Sequence, residues 1–580
     1  MRKTMAVTAA VAVTLTGAAS IAHADPGHGR GHGHGHGHGR GPVGIELSVL
    51  GTHHSDVFDA SAAEIVAHDP HTQRLFVVSA ASATVEVLDV SDPEAPVKLF
   101  DLETAGATAA DGSTIGGGAV ANSVAVRDGV VAVAVKSTVR TESGWVVFFD
   151  VEGAVLNALR VGALPDMAAF GPDGGPLLVA NEGEPNDDYT IDPEGSVSVI
   201  RMSGDPADLS QDDVSTADFR DWDGDRELHP DVRVHGPDLS TGEPGTPGRV
   251  ARNLEPEYVS AVDDGTAYVV LQEANAFAVL DVESASFTDI VPFGTKDHLE
   301  PGNGFDASNR DDEIRIENWP VQGMYQPDGF DTYSWRGRTL LVTANEGDSR
   351  GWDGYSDESR VADLTEDTPL CEDSPRLAGF LEDNDQGIGT VEELTDETNL
   401  GRLHVSVEDG LRADGSCYED LYSYGGRSFS VWTADGEQLF DSGSDFERIT
   451  AEVEPEFFNS NNDDSSFDAR SDDKGPEPEA VVVGKVSGRT YAFVGLERVG
   501  GVMVYDVTDP RSASFVQYLN NRDFAAEPDT RAAGGLGPEG LAFIEAGDSP
   551  VPGVPVLAVA HEVSGTTTLF RVDRMVPGRG

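Results

Sequence analysis

The chain has 580 residues, 39% of them hydrophobic, with 102 Asp plus Glu against 39 Lys plus Arg and a formal charge of -63. That length and apolar content allow a large buried core. The acidity repels nucleic acid and anionic lipid and attracts cations, so DNA, RNA and anionic membrane surfaces are excluded as expected partners.

Read in chain order, the N-terminus runs Met1-Arg2-Lys3, an apolar stretch from Met5 to Ala22, and Ala22-His23-Ala24. This is the charged, apolar and small-residue pattern of a secretory signal peptide over 1–24, cleaved after Ala24. No later stretch approaches the roughly 20 apolar residues of a spanning helix. The expectation is a secreted, extracellular monomer with no integral membrane span. Residues 25–43 form a Gly-rich tract with His28, His32, His34, His36 and His38. Such a composition packs no core, and alternating Gly gives the imidazoles no fixed metal geometry, so it is read as a disordered linker.

From residue 44 to 580 short β-branched and aromatic runs alternate with Asp-Gly, Gly-Gly and Asp-Pro turns, an all-β signature. One strand recurs: TVEVLDV from Thr84, WVVFFDV from Trp145, SVSVIRM from Ser196, FAVLDV from Phe277, RSFSVW from Arg427, GVMVYDV from Gly501 and TTLFRVD from Thr567. Each is preceded by a pair of β runs, as in YVSAV-DDG-AYVVLQE between Tyr258 and Glu273. Seven meanders of this kind predict a seven-bladed β-propeller, with the strand from Ile45 closing the last blade. A loop-rich insertion is expected at about 350–422. It holds Cys371 and Cys417, the two cysteines of the chain, which an oxidising compartment would pair.

Pro followed by an acid opens the first strand of most units: Asp166, Glu257, Asp328, Glu479 and Glu539, with Glu64 and Asn122 in the matching place of the first two. A second acid closes the next strand: Glu182, Glu273, Glu346, Glu497 and Glu562, with Ser79 and Lys136 standing there in the first two units. Folding the Glu257 to Glu273 hairpin at Gly265 sets the two acids side by side. Because the innermost strand of each blade lines the axis, all eleven carboxylates are expected at one channel mouth. So many like charges in a desolvated channel cannot stay ionised unpaired. Oxygen-only ligation points to Ca²⁺ ahead of other divalent ions. Loops from Lys296 (His298, Asn303, Asp306, Arg310, Asp311) and from Asn181 (Glu184, Asn186, Asp187, Asp188) offer further ligands. DWDGD from Asp221 fails the EF-hand spacing, since Gly stands fourth and not sixth, and is read as a solvated turn.

The stretches LPDMAAFGPDGGPLLVANEGEPNDDYTIDPEGSVSVI, NLEPEYVSAV, PVQGMYQPDGFDTYSWRGRTLLVTANEGDSRGWDGYS, RSDDKGPEPEAVVVG and GLERVGGVMVYDVTDP closely resemble the choice-of-anchor I family, from Ile45 to Asp573. That family includes bacterial surface proteins and the mesenchyme-specific cell surface glycoproteins of biomineralising animals. The resemblance implies a YVTN-type or quinoprotein-like propeller and a surface or extracellular location, with a calcium connection in the animal members. Some bacterial relatives are labelled alkaline phosphatases. Two functions follow as expectations: a calcium-dependent binding protein, or a metal-dependent phosphomonoesterase acting on a phosphorylated or polar small molecule. In the second, Arg350, Arg498 or His561 are the catalytic candidates beside the metals.

Overall fold

The computed structural model describes residues 11–13 and 44–575, apart from 225, 244, 263 and 264. The His-rich tract, and the segment expected to be a signal peptide apart from a short strand Val11–Val13, lie outside the described residues. The rest is all-β and propeller-like in layout. Seven four-stranded antiparallel meanders follow one another, opening with the strands Val66–Asp69, Val120–Arg127, Pro165–Phe170, Val259–Ala261, Phe330–Trp335, Pro478–Val486 and Pro538–Ile544. The fourth strand of the seventh meander is Ile45–His54, which pairs antiparallel with Thr566–Arg574, as the sequence predicts. Val11–Val13 adds a fifth strand to the outer edge of the sixth.

The strand pattern reflects position in the layer. Leu177–Asn181 and Ser196–Ile200 are buried along their whole length, whereas the outer strand Val97–Glu103 is largely exposed. A middle strand covered on both faces by neighbouring meanders needs a continuous apolar run; an outermost strand with one wet face does not. The apolar clusters among the meanders accordingly span successive ones. Val85 and Phe76 of the first meet Val133 and Phe149 of the second, and Val269 and Leu271 of the fourth meet Val197 and Leu178 of the third. Leu75 and Val77 of the first meet Val556 and Leu569 of the seventh, so the series returns on itself. The opening strands touch in the same sequence, including Pro538–Ile544 against Val66–Asp69. At about 1.5–3 kcal/mol per buried Val, Leu or Phe, these clusters are what hold the meanders side by side.

The insertion has two parts, and the sequence reading over 350–422 captures one of them. Strands Thr295–Asp297 and Val321–Met324, which precede the fifth meander, join Leu421–Ser423, His404–Ser406 and Glu358–Arg360 in a single sheet. Helices Val361–Asp367 and Pro375–Glu382 cover it, burying Trp319, Leu364, Leu377, Phe380 and Leu403. Its reach back to residue 295 was hidden because 295–324 carries no hydrophobic period of its own. Cys371 and Cys417 form a disulfide with Cα atoms 5.2 Å apart, closing a 46-residue separation within this lobe. By chain entropy such a link stabilises by roughly 4 kcal/mol. Replacing both cysteines by serine should therefore open the 350–422 segment to limited proteolysis while the meanders keep their near-ultraviolet dichroism; unchanged cleavage would show the apolar core alone to hold the lobe.

A candidate cation site lined by carboxylates

Local geometry explains why the acids face inward. Leu164, Gln326 and Glu477 stand before Pro165, Pro327 and Pro478 with φ of 47°, 37° and 49°, and Gly537 before Pro538 with 68°. A left-handed residue followed by the fixed φ of proline turns the chain sharply into its strand. Register shifts then occur between Pro165 and Ala168, Pro478 and Val481, and Pro538 and Gly540, so Asp166, Glu479 and Glu539 sit in bulges outside the normal alternation. Asn122 occupies the same bulge in the second meander. The second acid is tied to this turn through the backbone: Glu182 N–H donates to Leu164 O at 2.9 Å, Glu497 N–H to Glu477 O at 2.8 Å and Glu562 N–H to Gly537 O at 2.8 Å. Asn181 and Asn345, just before Glu182 and Glu346, anchor the strand ends by donating to Ser198 Oγ (3.0 Å) and Ser430 Oγ (2.8 Å) of the next strand.

Glu64, Asn122, Lys136, Asp166, Glu182, Glu257, Tyr258, Asp328 and Glu539 line one cavity of about 260 Å³. Oxygens of Glu182, Glu257 and Glu273 come within 4.8 Å of one another, as do those of Asp328, Glu346 and Glu479, and of Glu346, Glu477 and Glu497. Glu562 hydrogen-bonds Glu497 and lies near Glu539. All eleven predicted acids therefore belong to one connected group. Burial raises the pKa values of most of them, and repulsion from neighbouring acids adds to it at Glu182, Glu257, Glu479 and Glu539. Asp166 rises to about 6 by burial, and Glu64, Glu273 and Asp328 each to about 7. Glu182, Glu257, Glu479, Glu497 and Glu539 go well above the carboxylate range. Tyr258, beside Glu257, is buried among Asp328, Glu539, Asp166 and Glu479, and its phenol is pushed up with them.

The group divides into two sectors. Around the sixth meander internal cations do the neutralising. Lys474 Nζ pairs with Glu346 and lies 3.2 Å from Glu477 Oε2. Arg470 and Arg498 reach Glu477 at 2.6 and 3.0 Å, and Arg498 reaches Glu497 at 3.1 Å. Burial alone would raise Glu477, but Lys474, Arg470 and Arg498 hold it below the usual carboxylate range. Asp328 and Glu479 hydrogen-bond each other, which requires a proton on one of them. Around the third and fourth meanders compensation is thinner: Lys136 lines the cavity and eases Asp166, and Arg350 acts on Glu273, but among the described residues no ion pair reaches Glu182, Glu257 or Glu273. Glu257, 8% exposed, and Glu273 each keep an Oε2 that is buried with no hydrogen-bond partner.

The candidate catalytic residues are placed elsewhere or already committed. Arg350 is buried and grips Glu255 at 2.7 Å, with Asn253 O and Tyr189 Oη as further acceptors. Arg498 is held by Glu477 and Glu497. His561 is buried against Gly535, makes one hydrogen-bond contact at 3.2 Å with Thr566 O, and burial lowers its pKa to about 4. It does not line the cavity. In the two loops, Glu184 joins the acids, rising to about 7, while Arg140 lies 3.3 Å away. Asn186 instead closes its own loop onto Thr190 and Ile191 N–H groups. His298 is buried on Asn303 O at 2.6 Å and falls to about 3. Asp221, Asp223 and Gly224 of DWDGD are exposed, as a solvated turn requires, and Asp223 also accepts from Gly248, Val250 and Ala251 N–H groups at the start of helix Arg249–Asn253. Sequence reasoning missed Glu255 and Glu477, although the repeated Glu-Pro-Glu at 255–257 and 477–479 marks both as partners of buried arginines.

Glu477 is the point on which this sector turns. Glu477→Gln leaves Arg470, Lys474 and Arg498 facing one another over a neutral amide, and removing one partner of a buried ion pair costs about 3–5 kcal/mol. Urea unfolding at pH 7 should show that loss; a change under about 1 kcal/mol would mean the three cations find other anions.

Comparison with known proteins gives the family. The choice-of-anchor I domain model matches residues 64–510. The chain is 35% identical over 185 residues to Gigasin-3a of Magallana gigas, covering 30% of this chain and 64% of that protein. It is 28% identical over 338 residues to the mesenchyme-specific cell surface glycoprotein of Strongylocentrotus purpuratus, covering 53% of this chain and 42% of that one. The chain thus spans less than two thirds of either relative's length. Among solved structures, streptogramin B lyase aligns over 91% of this chain and 98% of its own at TM-score 0.40 and 8% identity. The Cps50 (Swd1) β-propeller domain aligns over 91% and 100% at TM-score 0.38 and 7% identity. With the family model covering most of its length, the chain belongs to the choice-of-anchor I family.

Proposed function

We propose that this protein is a closed seven-bladed propeller of the cell exterior whose acid-lined cavity holds divalent cation, with Ca²⁺ as the natural occupant, and that it works as a metal-dependent binding protein. The observation that carries the reading is the pair of orphaned, buried oxygens on Glu257 and Glu273, set against Glu182 where, among the described residues, no ion pair reaches the three. Three carboxylates and open lone pairs suit a hard ion that accepts six to eight oxygens in flexible geometry. The exterior location is supported by the relative described as a cell surface glycoprotein and by the acidity of the chain. No helix among the described residues is long and apolar enough to cross a membrane. A phosphomonoesterase needs a free guanidinium or base beside the ion, and Arg350, Arg498 and His561 do not offer one; that reading is not retained.

The pH dependence follows in sign. Asp166, Glu64, Glu273 and Asp328 have folded pKa values above their unfolded ones, so they bind protons more tightly when folded. Their contribution to stability is complete below about pH 4 and is lost as pH rises through roughly 6–7. Glu477, shifted the other way, loses its contribution only in strong acid. Metal-free protein should therefore melt lower at pH 8 than at pH 5.5, and Ca²⁺ should restore the difference at pH 8 by several degrees. In Glu257→Gln the Ca²⁺ increment should fall by more than half. Should chelation leave the pH 8 melting temperature unchanged while elemental analysis finds no bound divalent ion, the proposal is wrong.

A further inference from the structure

A second set of orphaned oxygens lies far along the chain from the cavity residues, in two segments that the fold brings together. Asp468 is 3% exposed and its Oδ2 is buried with no hydrogen-bond partner; Asn459 is 0% exposed and its Oδ1 is equally unpartnered. Asn309 Oδ1 and Asp311 Oδ2 are buried without hydrogen bonds as well. A buried amide or carboxylate oxygen left without a donor costs about 1–3 kcal/mol, and more when charged. Asn459 and Asp468 are joined through Ser471, and Asp311 acts electrostatically on Asp468, so these open acceptors call for a shared explanation.

Hydrogen bonds fix the geometry around Glu447, on helix Asp445–Val453. Glu447 Oε2 accepts from Asp306 N–H at 2.8 Å, and its Oε1 accepts from Asn459 Nδ2 at 3.4 Å. Asn459 Nδ2 also donates to Ser471 Oγ at 2.8 Å, and that hydroxyl donates to Asp468 Oδ1 at 2.5 Å. Asn459 Nδ2 and Ser471 Oγ thus serve other atoms, leaving Asp468 Oδ2 and Asn459 Oδ1 as acceptors without a donor. Asp306 and Asp311 are both close enough to act electrostatically on Asp468, whose pKa rises to about 8 through burial and then these neighbours. Asp306 is raised to about 7 in the same way.

Counter-charge is incomplete. Arg427 binds Glu447 Oε1 at 2.7 Å, and Arg315 Nε lies 3.5 Å from Asp311 Oδ2 without hydrogen-bonding it. Four carboxyl groups, Asp306, Asp311, Glu447 and Asp468, face two guanidiniums, so two of them have no cation beside them. We infer that Asp468, Asn459, Asp311 and Asn309, with Asp306 beside them, form a second divalent-cation site, distinct from the cavity. The mixture of carboxylate and amide oxygens, with neither His nor Cys, selects a hard ion, Ca²⁺ before Mg²⁺.

The position gives the site a job. Residues 305–315 belong to the chain that enters the insertion, where Ser308 Oγ donates to Glu397 O at 2.7 Å and Arg315 Nη2 to Asn399 Oδ1 at 2.7 Å. Residues 458–473 connect the fifth and sixth meanders. An ion between them clamps the disulfide-linked lobe to the meanders.

The test uses the full mature chain, Ca²⁺ as the probe, and bound Ca²⁺ counted by equilibrium dialysis at pH 7.5. Asp468→Asn should lose one ion relative to wild type while the ion removed by Glu257→Gln stays bound, and the lobe should become at least tenfold more sensitive to limited proteolysis in Ca²⁺. Asn459→Asp, which adds a carboxylate to the shell, should bind Ca²⁺ at least as tightly as wild type and lose melting temperature only under chelation. If folded Asp468→Asn keeps the wild-type ion count, or if Asn459→Asp is equally destabilised with and without Ca²⁺, the clamp does not exist. If wild type binds an ion that Asp468→Asn removes, and Glu257→Gln removes none, the cavity reading fails and this one stands.

Discussion

Repulsion among carboxylates drawn to one cavity is the constraint from which the rest of the structure follows. Asp166, Glu479 and Glu539 are each placed by a local device, a left-handed residue, a proline and a bulge, that the strand would not otherwise adopt. The backbone bond from the second acid to the residue before the proline then locks the pair. Apolar burial between successive meanders supplies the free energy that lets such an arrangement persist. The charge that burial concentrates must be met by something positive, and the two halves of the cavity meet it differently.

On one side the chain carries its own cations. Lys474, Arg470 and Arg498 converge on Glu477, and Arg350 is spent on Glu255 in the same fashion. Arg350 and Arg498 look from the sequence like catalytic material, since an arginine beside a cluster of acids is what phosphate chemistry needs. Their actual partners make them structural. On the other side Glu182, Glu257 and Glu273 have no such partner, and that asymmetry is what distinguishes a place for an ion from a merely acidic wall.

Much of this was legible in the residues. The seven recurrent strands, the closing strand from Ile45 and the pairing of acids across each hairpin follow from period-two patterning and from turn residues, which act over short distances. The Pro-acid signal worked because proline and a bulge fix direction locally. What escaped depended on contacts remote in sequence. Glu255 and Glu477 are defined by arginines 95 and 21 residues away. The role of Asp468 needs Asp306 and Asn459 brought together around Glu447. The insertion reaches back to Thr295 through a parallel strand pair, Val321–Met324 with Leu421–Ser423, that no local pattern announces. His561 misled for a similar reason: its neighbour Glu562 faces the acids, while alternation along the strand turns the imidazole away.

The most direct measurement is a crystal structure of the mature protein grown at pH 7.5 with saturating Ca²⁺. The account predicts an anomalous-scattering peak with oxygens of Glu182, Glu257 and Glu273 at about 2.3–2.6 Å. A cavity holding only water, with those carboxyl groups hydrogen-bonded to one another through shared protons, would contradict it.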